Sequence, residues 1–476
     1  MDTRVDGRWA ALTVLCLGLL LVAVDTTIVN VALSAISIGL GFSGLSIVWV
    51  VNAYLAAFGG CLLLGGRLGD RFGHRPIYLI GVSVFTTASV ACGLATTPEV
   101  LVAGRIVQGI AAAFISAVAL SLVSRLFTDL SERTKALGLC SFLAACGGSI
   151  GLVFGGMLTS ALGWRWVFLV NLPWGLLILI LGRRVLPRER VGCAGDLDWP
   201  GAALVTTSLL AGITAITNGG RWGWLSAEFL GLIASAIVLA TAFLAMEKRA
   251  RVPLISGALM RIAGFRVANI GSAMLASSLY TWFFIVTLYL QLVLQLNPMQ
   301  VALTFLPANL LTGLLSLVVV PALVKRFGIR TPFVAGMLLV GVGLALLSRA
   351  STNSHVLWDV LPGTLLLGVG AGMAYNPLLL GALGDVPQAE VGAASGVINT
   401  SWMLGGTLGL TLLVGFVEAR TSALVQAGED WSRAFQGGYQ AACGIGSLVA
   451  FLAIVTCARA LQLTRPAQSA PYGSTG

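Results

Sequence analysis

Two charged residues stand inside long apolar stretches of this 476-residue sequence. Asp25 lies within the run LGLLLVAVDTTIVNVALS at residues 17–34, and Arg105 lies within an apolar stretch at residues 99–122. A charged side chain at the centre of a membrane helix costs about 2.5–3.5 kcal/mol, even on the insertion scale with the lowest values. Chains that keep such residues usually turn them towards a partner or a water-filled cavity. The two residue types predict a proton-binding carboxyl group and a cation that pairs with it.

The chemistry open to this pair is reversible proton binding. Burial favours the neutral form of a carboxyl group, whereas a nearby guanidinium favours the ionised form. A movement that changes the distance or the water access between Asp25 and Arg105 would therefore change the proton affinity of the carboxyl group. The alternative is that Arg105, which lies near the start of its stretch, snorkels to the adjacent membrane surface.

The composition is that of an integral membrane protein. Hydrophobic residues make up 57% and charged residues 10% of the chain, whereas a soluble domain carries about 25% charged residues. The net charge of +10 is spread over short connections and forms no basic patch of the kind that binds nucleic acid. Two histidines and eight cysteines without a C-x-x-C pair give no metal-ligand pattern. The sequence has no G-x-x-x-x-G-K-S/T loop and no nucleophile motif, so we expect neither an enzyme, nor a nucleotide-driven pump, nor a cofactor.

Fourteen apolar stretches are long enough to cross a bilayer as helices. With the N-terminus inside, 22 of the 28 Lys and Arg residues fall in cytoplasmic segments, five fall outside, and Arg105 lies within the membrane. This bias follows the positive-inside rule and places both termini in the cytoplasm. The predicted spans are 9–30, 46–66, 77–96, 99–122, 135–160, 166–182, 201–218, 228–246, 267–293, 300–323, 332–348, 358–381, 392–417 and 438–462.

The longest polar connections, at residues 183–199 and 247–266, divide the predicted all-α chain into parts. A basic loop follows the second helix of the first six spans and of the last six, which is a faint internal repeat. Duplicated bundles of this kind are a transporter architecture with a binding site near the midplane. The predicted parts are a six-helix bundle at 1–190, two extra central transmembrane helices at 191–260, a second six-helix bundle at 261–465 and a disordered cytoplasmic tail at 466–476.

The loop at residues 66–75 reads GRLGDRFGHR and resembles the loop 2–3 signature of the major facilitator superfamily. Gly66 and Gly73 permit a tight turn. Asp70 is suited to a helix N-terminus in the other bundle, and Arg71 and Arg75 are suited to carboxylates when the cytoplasmic side closes. These five residues form the predicted cytoplasmic gate. A basic loop that only sets topology would explain the arginines but not the aspartate and the glycines.

Two transmembrane stretches extend the resemblance. LVAGRIVQG at residues 101–109 resembles the helix 4 motif of the superfamily, whose buried arginine is associated with proton coupling, and the resemblance implies this role for Arg105 together with Asp25. The fifth span has glycines at the spacing of the antiporter motif, although Leu152 takes the place of the usual proline. Close packing of helices explains such glycines equally well. The glycines are Gly147, Gly151, Gly155 and Gly156.

Three further stretches resemble the fourteen-helix drug:proton antiporter branch: VDTTIVNVAL at 24–33, GWRWVFLVNLP at 163–173 and DLDWPG at 196–201. The resemblance covers nearly the whole chain and implies proton-coupled antiport by alternating access. One departure lies in the predicted helix 13, where Trp402 and Met403 replace residues that are commonly polar or basic in relatives. Two interpretations remain open: a more apolar cavity, or a packed face.

The predicted function is export of hydrophobic drugs, toxicants or antibiotic-like secondary metabolites across the bacterial cytoplasmic membrane. No acidic residue lies well inside predicted helices 9 to 12, which favours neutral or singly charged amphiphiles. The alternatives are a dedicated exporter of one endogenous metabolite or lipid, and a non-transporting membrane sensor. The expected partners are the substrate, protons and the lipid bilayer, with a monomeric chain. The candidate cavity residues, for which core packing is the competing interpretation, are Asn30, Tyr54, Gln108, Phe142, Trp282 and Trp402.

Overall fold

Helices joined by short connections make up the structure. The computed structural model describes residues 3–42, 44–127, 129–187, 199–223, 225–247, 259–384, 386 and 391–458. No β-strand occurs within these residues. Their α-helices are α1 (Thr3–Ile28), α2 (Leu33–Leu40), α3 (Val48–Phe72), α4 (His74–Gly93), α5 (Pro98–Leu126), α6 (Leu130–Leu162), α7 (Arg165–Leu169), α8 (Asn171–Val185), α9 (Trp199–Trp222), α10 (Ala227–Glu247), α11 (Ala263–Thr281), α12 (Pro298–Leu314), α13 (Val320–Phe327), α14 (Arg330–Leu347), α15 (Leu361–Leu383), α16 (Val391–Gln426) and α17 (Trp431–Cys457).

Short turns of a different helical type interrupt or flank several of the α-helices. The 3₁₀ turns are Asn30–Ala32, Gly44–Ile47 and Leu259–Arg261. The π-helical turns are Trp282–Val286, Tyr289–Val293, Leu315–Val319 and Val356–Val360. Such turns change the hydrogen-bond step of the backbone and are frequent at functional positions of long helices.

Local sequence signals set the ends of several helices. The side chain of Thr97 accepts a hydrogen bond from the backbone N–H of Val100 at the start of α5, and Pro98 follows it. Asn297 and Gln300 form a capping box at the start of α12. Gly73 joins α3 to α4 with a φ of 92°, so the tight turn predicted there uses the backbone freedom of glycine.

The chain crosses the membrane many times. Among the described residues, ten helices are long and apolar enough to span a bilayer, and the number is eleven when the bent helix α3 is counted as one span. The prediction of an all-helical, multi-pass membrane protein is confirmed. The predicted boundary between residues 190 and 191 and the predicted tail at 466–476 lie outside the described residues.

Two groups of helices, α1–α8 (the first half) and α11–α17 (the second half), meet along α3 with α16 and along α6 with α12. The Nδ2 of Asn52 in α3 donates to the Oγ1 of Thr411 in α16 over 2.5 Å. The Nε2 of Gln291 donates to the carbonyl oxygen of Val31 over 2.6 Å. Asn52 and Val31 lie at the end of the first half opposite to Asp70. We call this end the far end, and the end that carries residues 66–75 the loop end.

The predicted glycine motif lies on α6, between α1 and α12. A Cβ atom added to Gly147 would lie 2.6 Å from the Cβ of Ala23, and one added to Gly155 would lie 2.6 Å from the carbonyl oxygen of Ile28. At Gly151 an added Cβ would overlap the Oγ1 of Thr27. Gly156 faces the other way, because an added Cβ would lie 2.9 Å from the carbonyl oxygen of Pro298 in α12. The motif thus brings α6 against the helix of Asp25 and against the second half.

We expect Gly151→Ala to destabilise the protein by about 1–3 kcal/mol, the usual cost of overpacking a tight contact. The added methyl group would meet the backbone carbonyl oxygen of Val24 at 2.7 Å, so α1 and α6 would have to separate. The measurement is the apparent melting temperature of the purified protein in detergent. Gly148→Ala is the matched control, because its nearest atom is 3.9 Å away. Equal melting temperatures for the two variants would contradict the close contact.

Candidate functional site

Asp25 of α1 and Arg105 of α5 form an ion pair in the interior of the first half. The Nη1 of Arg105 lies 2.6 Å from the Oδ2 of Asp25. Their exposed fractions are 0% and 1%, so the guanidinium does not reach the membrane surface. The alternative of a snorkelling arginine is therefore wrong, and the structure brings the two residues together as predicted.

Two further contacts, both from α3, hold the Arg105 guanidinium. Its Nε donates to the carbonyl oxygen of Val50 over 2.9 Å. The ring of Tyr54 lies under the guanidinium at 4.2 Å from its centre, within the range of a cation–π interaction. Val50 and Tyr54 belong to α3, so this helix holds the cation while α1 supplies the anion. Gly109 allows α5 to come this close to α3, since a Cβ added there would overlap the carbonyl oxygen of Tyr54.

Two amide side chains complete the surroundings of the carboxylate. The Nε2 of Gln108 and the Nδ2 of Asn171 donate to the Oδ1 of Asp25 over 3.3 and 2.9 Å. Both amides also donate to the Oγ of Ser89, over 2.7 Å from Gln108 and 2.8 Å from Asn171. The Oε1 of Gln108 in turn accepts from the Nη1 of Arg105 over 3.1 Å. The result is a closed polar cluster in which helices α1, α4, α5 and α8 each supply a side chain.

The sequence interpretation missed two members of this cluster. Asn171 lies within the stretch at 163–173 that contributed to the family resemblance, and it is a lone amide in an apolar run; that pattern is the signal that could have identified it. Ser89 offers no comparable signal, because a serine in a membrane helix commonly bonds its own backbone. Only the packing of α4 against α5 and α8 makes Ser89 a partner of both amides.

The predicted cavity residues lie in different environments. Tyr54 and Gln108 are fully buried in the cluster around Asp25, and Asn30 is 6% exposed in the turn that follows α1. Trp282 is buried in the second half, where its ring centre lies 5.4 Å from that of Phe305. The side chain of Phe142 lies outside the described residues.

Trp402 is partly exposed on α16. Its ring meets that of Tyr375 edge-on at 4.9 Å, and the hydroxyl of Tyr280 contacts the sulfur of Met403 at 3.8 Å. A Cβ added to Gly59 of α3 would lie 3.0 Å from the Cβ of Met403. These side chains therefore stand where the second half faces the first.

The predicted gate residues lie together at the loop end. Asp70 binds the Nη2 of Arg125 at 2.9 Å and the Nε2 of the buried His74 at 3.4 Å. Arg75 donates to the carbonyl oxygen of Arg183 over 2.5 Å. An added Cβ at Gly66 would meet open space. These partners of Asp70 and Arg75 belong to the first half, whereas the sequence interpretation placed the aspartate against the other bundle.

Arg71 contacts the ring of its neighbour Phe72, with its guanidinium 5.5 Å from the ring centre. The turn at Gly73 keeps these residues and His74 close to the end of α3. Among all the described residues, no three His, Cys, Asp or Glu side chains gather closely enough to hold a metal ion.

Comparisons with known proteins show which family the chain resembles. Residues 15–410 match the family model described as Major Facilitator Superfamily. The chain is 37% identical to the puromycin resistance protein pur8 of Streptomyces alboniger over 85% of this chain and 81% of that protein. It is 36% identical to the cephamycin export protein CmcT of Amycolatopsis lactamdurans over 88% of this chain and 87% of that protein. A crystal structure of an auto-inhibited POT family peptide transporter superposes with a TM-score of 0.65 at 16% identity, over 93% and 96% of the two chains, which shows a shared fold.

We expect Asp25→Asn and Arg105→Gln each to lower stability by about 3–5 kcal/mol, because each leaves one buried charge without its partner. The double variant should lose less than the sum of the two single losses, since it leaves neither charge. The measurement is a double-mutant cycle of apparent melting temperatures in detergent. Strictly additive losses would contradict a direct interaction between the two side chains.

Proposed function

The chain belongs to the major facilitator superfamily of membrane transporters, and on this basis we propose that it is a proton-coupled antiporter that exports hydrophobic drugs or antibiotics. The names of two relatives, which refer to puromycin resistance and cephamycin export, support the substrate class. The identities of 37% and 36% extend over most of each chain. The proposed mechanism is alternating access, in which the two halves rock about a central substrate site.

One observation carries the proton coupling: the buried ion pair of Asp25 and Arg105, 2.6 Å apart. A buried ion pair stabilises a fold poorly, since well-packed apolar residues often do as well or better. A pair kept among apolar helices is therefore better explained by a task that needs a change of charge. Protonation of Asp25 would neutralise the anion and weaken its attraction for Arg105, so α1 could move relative to α5.

The contacts between the halves indicate which side of the transporter is closed. The hydrogen bonds from Asn52 to Thr411 and from Gln291 to Val31 join the halves at the far end. The positive-inside rule assigns the loop end to the cytoplasm, so the far end is the outer one in the proposed topology. This arrangement then has its outer side closed, as entry of a substrate from the cytoplasm requires.

The surface around Trp402 supports an apolar substrate. Tyr280, Tyr375, Trp402 and Met403 form an aromatic and sulfur-containing wall on the second half. Aromatic side chains bury large apolar surfaces and contact flat rings well. Neutral or singly charged amphiphilic compounds are the proposed cargo.

The proposed topology has fourteen membrane spans and both termini in the cytoplasm. Three further segments are long enough to add to the eleven spans identified by length and composition. They are α6, α9 and the continuous segment formed by α12, Leu315–Val319 and α13. The proposed parts are two six-helix bundles at 1–190 and 261–465 with two central helices between them. The protein would work as a monomer in the bacterial cytoplasmic membrane.

A second candidate function is export of one dedicated endogenous compound. The name of the relative CmcT gives a single antibiotic, cephamycin, which favours this narrower reading. Susceptibility profiling of an efflux-deficient host that expresses the protein, with and without an uncoupler, separates the two. Resistance to several unrelated drugs supports the multidrug function, whereas resistance to one chemical class supports the dedicated exporter.

We expect Asp25→Asn to abolish drug efflux driven by a proton gradient, because an amide cannot take up and release the coupled proton. The measurement is a pH-jump assay in vesicles that contain equal amounts of folded protein, with puromycin and ethidium as probes. Glu99→Gln is the control, since Glu99 lies on the same helix as Arg105 but is exposed. Full proton-driven efflux by Asp25→Asn would refute the assignment.

We expect Asp70→Ala to lower the turnover rate at least several-fold and to change substrate affinity little. The substitution removes the ion pair with Arg125 and the contact with His74, which hold the end of α3 beside α4 and α5. Transport rates and binding constants for the same probes measure the two effects separately. Glu132→Ala is the matched control, because Glu132 also pairs with an arginine, Arg8, near the loop end. An unchanged turnover rate would count against a gate at Asp70.

A further inference from the structure

Among the described residues, the Asp25 carboxylate has N–H donors as its hydrogen-bond partners. Its Oδ2 accepts from Arg105, and its Oδ1 accepts from Gln108 and from Asn171. The other titratable side chains beside this cluster are Tyr54 and Cys92. Neither of them is hydrogen-bonded to Asp25: the hydroxyl of Tyr54 accepts from Thr26, and the thiol of Cys92 donates to the Oε1 of Gln108. Such surroundings fit the ionised carboxylate, which only accepts hydrogen bonds.

A protonated Asp25 would need an acceptor instead. Its new O–H group is a donor, and a buried donor without a partner is costly. Gln108 is poorly placed to become that acceptor, because its Oε1 already receives the Nη1 of Arg105 at 3.1 Å and the thiol of Cys92 at 3.4 Å. The Oγ of Ser89 already accepts from both amides. Proton uptake therefore requires one of these groups to turn.

Asn171 is the side chain best placed to do so. Its Nδ2 bridges the Oδ1 of Asp25 and the Oγ of Ser89, at 2.9 and 2.8 Å. A primary amide carries an NH₂ donor and a carbonyl acceptor on the same carbon atom, at similar distances from it. A half-turn of this terminal group therefore places the Oδ1 of Asn171 where its Nδ2 stood. Ser89 can follow, because its hydroxyl is able to donate to that oxygen as well as to accept.

We propose that Asn171 is the hydrogen-bond switch of the proton site, donating to Asp25 when it is ionised and accepting from Asp25 when it is protonated. In this step a hydronium ion gives up a proton and becomes water, and the proton forms an O–H bond on the Oδ1 of Asp25. The N–H···O hydrogen bond from Asn171 is lost, and an O–H···O hydrogen bond to the Oδ1 of Asn171 replaces it. The inference rests on the proposed function, because it takes Asp25 as the proton carrier. Asn171 is a positioning residue, which acts through Asp25.

The test is an infrared pH titration of the purified full-length chain, which requires no transported compound. The C=O stretching band of a protonated carboxylic acid reports both the pH of half-protonation and the hydrogen bonding of the acid. Asp25→Asn supplies the blank that assigns the band. Asn171→Leu, which is similar in size but neither donates nor accepts, is the test variant. Asn218→Leu is the control, since Asn218 lies on α9 and bonds the carbonyl oxygen of Thr214 in its own helix.

The switch predicts that Asn171→Leu moves the band to higher wavenumber, because the protonated acid loses its acceptor. The pH of half-protonation should move by less than about half a unit, since the leucine removes a partner from both forms. The opposite result would be a pH of half-protonation about one unit or more higher, with the band at an unchanged wavenumber. It would show that Asn171 only donates to the ionised carboxylate, and it would overturn the switch. Wild-type behaviour in both respects would overturn it as well.

A second measurement keeps the proposal testable if Asn171→Leu does not fold. In the wild-type protein labelled with ¹³C-asparagine, an amide band should shift with the same pH dependence as the Asp25 band and should be absent in Asp25→Asn. Absence of any such band from the wild-type protein would overturn the switch. If no carboxyl band is assignable to Asp25 at any pH, the proposed proton coupling fails with it. If the Asp25 band changes with pH but no asparagine band changes with it, the switch is refuted and the proposed proton coupling is not.

Discussion

The first half is organised around one electrostatic requirement: two opposite charges must stay in an apolar interior at a tolerable free energy. Removing an ion from water costs several kcal/mol even after relaxation, and attraction between the ions compensates only when the remaining hydrogen bonds are made. Asp25 and Arg105 meet this condition through Gln108, Asn171, the carbonyl oxygen of Val50 and the ring of Tyr54. The mutual arrangement of α1, α3, α5 and α8 is thus part of the solvation of a single ion pair.

Parts of this arrangement follow from the sequence, and the reason is physical. Lone charges in membrane stretches are so costly that the sequence alone predicts a pair of Asp25 and Arg105. Uncharged polar residues give no such warning, because serine and asparagine can bond their own helix. Ser89 and Asn171 became recognisable only once α4 and α8 were packed against α5 and α1. The sequence interpretation also contained none of the 3₁₀ and π-helical turns.

Helix α6 links the charge cluster to the boundary between the halves. Gly155 and Gly156 are adjacent in sequence, yet the first faces the carbonyl oxygen of Ile28 and the second that of Pro298. Neither position has room for a side chain, so α6 packs tightly against α1 on one side and against α12 on the other. Leu152, which replaces the proline usual in related motifs, is fully buried and leaves α6 unbroken at this point. The continuous helix α6 therefore contacts both the helix of Asp25 and the second half.

The interruption of the first span after Ile28 has a further consequence. At the turn Asn30–Ala32 the helical ladder is broken, and the carbonyl oxygen of Val31 and the N–H of Ser34 are both bonded to the side chain of Gln291 from the second half. Any separation of the halves at this end strips two backbone groups of their shared partner at once. Exposed peptide groups cannot remain bare in hydrocarbon. In the proposed mechanism, opening at this end must therefore let water reach these two backbone groups.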